Sequence, residues 1–211
     1  MDYGDDIYTE AEGDDDTLAN LGPLGGMAGI WEGTGVDEHP ADVGIERDDY
    51  VEHYELQPID RQTNGPQIFY GLRYHTHIVK PGEVETFHDQ VGYWLWEPAG
   101  LAVTLSVAIP RGQVVLARGA AQADSTEFEV EARLGDAVHG ILSNPFLDAK
   151  FRTTTFRMHV SVNDDGTWSY EQHTMMRLPD RDGLVDHADR NTMQRIREPT
   201  PNPLAAARPA P

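Results

Sequence analysis

Apolar and polar residues alternate along most of the chain, and the period is two. From Gln67 to Lys80, Ile68, Tyr70, Leu72, Tyr74, Thr76 and Ile78 share one face, while Arg73, His75 and His77 share the other. Alternation sustained this long marks a strand with one buried and one wet side. The same reading gives strands at Asp49–Leu56, at Thr86–Trp96 and at Leu101–Ile109, where every second residue is aliphatic. After the turn Pro110–Gln113 comes Val114–Arg118. Glu127, Glu129 and Glu131 then interleave with Phe128, Val130 and Ala132. Arg152–Val162 and Thr167–Leu178 flank Asn163-Asp164-Asp165-Gly166, a hairpin turn. A last strand runs from Leu184 to Ile196. Pro58–Pro66 reads as a loop, and His39-Pro40-Ala41-Asp42 and Pro81-Gly82 read as turns.

The chain is organised around its first strand, Gly29-Ile30-Trp31-Glu32-Gly33-Thr34-Gly35. Glycine inside a strand marks a bend, a bulge or a close backbone approach. Three of them around one Trp suit a small barrel, where the sheet must bend and the bottom must be plugged. The Leu/Gly/Pro segment between Leu18 and Met27 suits one or two helical turns closing that end.

About ten strands joined by short turns, with almost no helical periodicity, must close or stack to hide their edges. So many hairpins favour a closed antiparallel up-and-down β-barrel over a sandwich. A barrel of that size encloses more room than side chains fill, so a ligand cavity is expected.

Composition trims this picture at its ends. Residues 1–18 hold eight acidic residues and no Lys or Arg, and residues 198–211 hold five prolines. Both segments read as disordered tails around one domain at 19–197. Net charge is −20, from 36 acidic against 16 basic residues. Nucleic acid and anionic membrane surfaces would be repelled, so neither is an expected partner. There is no cysteine, which removes disulfides, thiolate metal sites and cysteine nucleophiles. The N-terminus lacks a signal-peptide pattern and no apolar run reaches transmembrane length, so a cytoplasmic location is expected.

No phosphate loop, nucleophile elbow or zinc-protease helix is present. The nine histidines are the best chemical material. His75 and His77 have chelating spacing, but their face reads as solvent. His88 shares a face with Gln90, Gly92 and Trp94, a mixture that suits a pocket lining. His187 lies on the final strand, where an imidazole serves either a structural or a ligand role.

Leu21-Gly22-Pro23-Leu24-Gly25-Gly26 followed by Gly29-Ile30-Trp31-Glu32-Gly33-Thr34-Gly35 resembles the opening of the nitrobindins, with their G-x-W-x-G-x-G signature. Phe87-His88-Asp89-Gln90-Val91-Gly92-Tyr93 resembles that family's His-x-x-x-Gly-Tyr strand. Met176-Arg177 and then Asp186-His187, with Arg195 downstream, follow in the family's order. The resemblance covers about residues 20–197 and implies a ten-stranded barrel that binds heme b, reacts with nitric oxide and isomerises peroxynitrite to nitrate. It implies His187 as the axial ligand of the heme iron and His88 as a cofactor-binding residue on the other side of the heme. Its implied partners are small molecules, nitric oxide and peroxynitrite, with a homodimer left open. The chain departs from the family pattern in two places. His39-Pro40-Ala41 replaces Tyr-Pro-Thr, and Ala188-Asp189-Arg190-Asn191 replaces an apolar run. The spacing from His187 to Arg195 is also one residue longer than the resemblance implies, which predicts a bulge. The polar run after His187 keeps a second expectation alive, a heme-free carrier of a small apolar ligand such as a fatty acid.

Overall fold

The computed structural model describes Tyr8 and residues 17–200. A 3-10 turn, Gly22–Met27, precedes β1 (Gly29–Pro40), β2 (Ile45–Asn64), β3 (Gln67–Val79), β4 (Thr86–Glu97), β5 (Ala102–Ile109) and β6 (Gln113–Ala120). Then come β7 (Glu127–Leu134), β8 (Gly140–Ser143), the short helix α1 (Pro145–Lys150), β9 (Arg152–Val162), β10 (Trp168–Arg177) and β11 (Val185–Arg197). The strands close into one barrel in the order β1-β11-β10-β9-β7-β8-β6-β5-β4-β3-β2, and β2 returns to β1. The sheet therefore has eleven strands. All its pairings are antiparallel except β7 with β8, where a four-residue strand slips in parallel beside its predecessor.

The alternation that predicts the strands also sorts their side chains. Tyr70, Leu72, Tyr74, Thr76 and Ile78 of β3 are buried, while Arg73 and His75 are exposed. Phe128, Val130 and Ala132 of β7 likewise face the core.

Three details differ from the sequence reading. Pro58–Pro66 is not a loop: β2 runs through Pro58 to Asn64, with a bulge between Ile59 and Gln62, and the turn is Gly65-Pro66. Pro58 is tolerated because β1 stops pairing with β2 at Leu56, leaving the Pro58 side of β2 as an edge. His39 and Pro40 are not in a turn but end β1. The predicted bulge between His187 and Arg195 is absent. β11 keeps one register against β10 from Val185 to Met193, and the irregularity comes later, opposite Ile30 and Trp31.

The core fills the end of the barrel that the 3-10 turn closes. Leu21, Leu24 and Met27 of the closing segment pack with Trp31, Leu72, Trp94, Leu105 and Trp168. Trp31 is 0% exposed, donates from Nε1 to the Met27 carbonyl at 2.8 Å, and meets the Trp168 ring edge-on. The arrangement plugs the barrel, as the first strand predicts. In the N-terminal segment Tyr8 and Thr17 are buried and Leu18 packs against the core. The rest of the two tails expected from the sequence lies outside the described residues, apart from residues 198–200.

Candidate functional site

Above this plug the barrel is hollow. A cavity of about 540 Å³ is bounded by the far ends of the strands and by α1. One part of its wall is apolar, with Ile78, Phe87, Val107, Ile109, Phe156 and Met176. Phe146 of α1, Phe151 and Arg111 also line it and are exposed, so they stand at the rim. A β-bulge explains why two neighbours on β4 both reach inward: Ile78 pairs with His88 but Val79 pairs with Thr86, and Phe87 and His88 both line the cavity.

The other part of the wall is polar and is built over the glycines of β1. A Cβ on Gly35 would lie 2.3 Å from the Tyr50 ring, and one on Gly33 would lie 2.5 Å from Asn191 Oδ1. The glycines are thus the space into which the Tyr50 ring and the Asn191 amide fold. Tyr50 and Tyr170 share a hydrogen bond between their hydroxyls at 2.8 Å, and Tyr170 also hydrogen-bonds Glu52 at 2.8 Å. Glu52 accepts further bonds from Thr76 at 2.6 Å and from Asn191 at 2.8 Å. Burial holds the Glu52 carboxyl above its ordinary pKa, and these donors pull it part of the way back.

His187 sits beside this network on β11. Its Nε2 lies 2.6 Å from Asp37 Oδ1 and 3.7 Å from Asp189 Oδ2. Asp37, on β1, is 3% exposed and pairs directly across the sheet with Asp189. The other Asp37 oxygen meets His39 Nδ1 at 2.9 Å, and Gln172 donates to Asp189 at 3.1 Å. Burial pushes the His187 pKa down, but the Asp37 hydrogen bond and the charges of Asp189, Asp37 and Asp186 outweigh it and leave the imidazole raised. Burial would raise Asp37, yet His187 and His39 bring it below the usual carboxylate value. Asp189 has less help: burial, with the charges of Asp37 and Glu52, lifts it to about 7 against the pull of His187.

His88 lines the same cavity from β4, four strand steps from β11 around the wall. It lies 3.4 Å from Gln90 Oε1, and Gln90 donates to the Tyr74 hydroxyl at 2.8 Å. Burial lowers the His88 pKa, and the charges of Arg111 and His187 lower it further, so the ring is neutral near pH 7. The structure thus brings His88 and His187 to one cavity. His75 and His77 stay outside it, bonded to Asp89 at 2.8 Å and to Thr86 at 2.9 Å. Sequence reasoning missed Asp37, His39 and Glu52 as cavity residues. The signal for the first two was the spacing itself, Asp37-x-His39 on a strand that runs two residues into the expected turn.

Fold and cavity define a closed β-barrel with an internal, histidine-lined ligand site. The model of the THAP4-like heme-binding β-barrel domain matches residues 20–195, and the chain belongs to that family. The barrel is also similar to the crystal structure of Rv2717c from M. tuberculosis, with a TM-score of 0.59 and 24% sequence identity, covering 85% of this chain and 97% of that one. No curated protein matches the chain. No helix among the described residues is long and apolar enough to cross a membrane.

Proposed function

We propose that the cavity holds heme b, with His187 as the axial iron ligand and His88 as a pocket residue on the other side, and that the loaded barrel binds nitric oxide and isomerises peroxynitrite to nitrate. The observation that carries this reading is that both histidines line one cavity of a chain in a heme-binding family. The residues fit such a group. A macrocycle needs an apolar wall, an imidazole facing it and an open side, and Ile78, Phe87, Val107 and Ile109 supply the first of these. Arg111 at the rim is the one cationic Lys or Arg side chain among the lining residues and suits an acidic substituent. When bound, a ferric heme supplies a Lewis-acidic iron with one position open to a small anion or diatomic.

The chain's own residues set the conditions. His187 must release Asp37 to offer its Nε2, and Asp37 can still hold its place through His39. His88, neutral and tied to Gln90, keeps a polar but uncharged group facing the cavity. Phe146 and Phe151 place aromatic rings at the rim.

An optical titration with hemin tests the proposal. The expected result is a saturable Soret band at one equivalent in the wild type. His88→Ala should keep that stoichiometry and change the sixth coordination position. Featureless, non-saturating uptake would contradict the proposal.

A further inference from the structure

We propose that Asp37, His187 and Asp189 form a binding site for a divalent first-row transition-metal ion, with its open coordination positions toward the cavity. The proposal goes beyond the heme reading and does not rest on it.

The donors already converge. One ligand atom from each of the three residues lies within 4.8 Å of the other two. They come from two neighbouring strands of a closed barrel: Asp37 faces Asp189 directly across the β1–β11 pair, and His187 is two residues earlier on the same face of β11. Strand register, not a loop, fixes their spacing. His187 Nε2 and Asp37 Oδ1 are 2.6 Å apart, and a cation would replace the hydrogen bond between them.

The surroundings are those of a built site. In metal centres the ligating carboxylates are themselves held by hydrogen bonds. Here His39 holds the second oxygen of Asp37, and Gln172 holds Asp189. Charge points the same way. The cavity is lined by three carboxylates, Asp37, Glu52 and Asp189, and by one Arg or Lys, Arg111, which donates to the Phe87 carbonyl. Buried carboxylates are held by hydrogen bonds or by a charge partner. Glu52 is served by its own three hydroxyl and amide donors, whereas Asp37 and Asp189 both turn an oxygen toward His187 and are the carboxylates placed to receive a cation with it.

One imidazole and two carboxylates form a borderline-to-hard donor set that suits Zn²⁺, Fe²⁺ or Mn²⁺ and leaves coordination positions open. The ion and a heme iron would both use His187 Nε2, so the two loads exclude each other.

The test uses the metal-stripped full chain, titrated with Zn²⁺ by calorimetry and with Co²⁺ by visible absorption. The expected result is one saturable equivalent and a raised melting temperature, both retained when His75 and His77 are replaced by Ala together. Asp37→Asn and Asp189→Asn should remove both effects. His39→Ala should weaken Zn²⁺ by about 10- to 100-fold while the Co²⁺ spectrum keeps its form, as expected of a positioning residue. Absence of saturable binding overturns the proposal, and so does binding unchanged in both carboxylate variants, which would trace it to the acidic surface. Should those variants fail to fold, NMR of the wild type decides. Co²⁺ should displace the His187 ring resonances and leave those of His75 and His77; the reverse overturns the site. Hemin uptake without Zn²⁺ binding would refute only this proposal, and Zn²⁺ binding without hemin uptake would refute only the heme reading.

Discussion

Glu52 shows how much a single buried residue constrains this barrel. Its carboxylate is surrounded by Thr76, Tyr170 and Asn191, and burial still wins, leaving its pKa raised. A carboxyl with a raised folded pKa holds its proton longer in the native state than in the unfolded chain. Stability from this group is therefore largest below the ordinary carboxylate range, about pH 4, and falls as pH rises toward the folded value. Glu52→Gln should flatten that part of the stability–pH profile, measured as melting temperature from pH 4 to 8. Trp31 shows the same dependence through packing. It is fully buried, bonded to Met27 and covered by the Arg195 guanidinium 4.6 Å from its ring. Trp31→Ala should cost on the order of 3–5 kcal/mol in urea unfolding. An unchanged midpoint would mean the plug contributes nothing.

At the level of elements, long alternating strands were legible and short pieces were not. β3 announces itself because ten residues repeat one pattern. β8 has four residues and α1 six, too few to show a period. Pro58 hid the outer part of β2, since a proline reads as a break unless the free edge beside it is known. In the site, His88 was visible on a face that suits a pocket lining, His187 only as a histidine on the last strand, and both through their resemblance to a family. Asp37 was not, because its partner Asp189 is 152 positions away and meets it only through the β1–β11 register. Glu52 hid in plain composition, one acidic residue among 36. α1 itself depends on Asn144, whose side chain accepts from the Phe146 and Leu147 amides and donates to the Arg111 carbonyl. Asn144→Ala should cost about 1 kcal/mol. Amide exchange should speed up in α1 and at the turn carrying Arg111, while β9 stays protected; uniform protection would place the helix's support elsewhere.

The whole molecule divides its labour along the barrel axis. One end is packed solid with Trp31, Trp94, Trp96 and Trp168, and the other stays open around a polar floor and an apolar wall. We propose residues 19–197 as the functional domain, since every strand and every cavity residue falls within it. The rigid end lets the open end carry buried carboxylates that would destabilise a smaller core. Such a division matches a cofactor barrel, in which the protein supplies position and access while the bound group supplies the chemistry. All of this turns on one imidazole. The most direct measurement is a hemin titration of His187→Ala beside the wild type, followed by absorption spectra of both. The account predicts that the variant loses most specific heme binding, or retains heme without a histidine-ligated spectrum. Wild-type affinity and spectra in the His187 variant would contradict it.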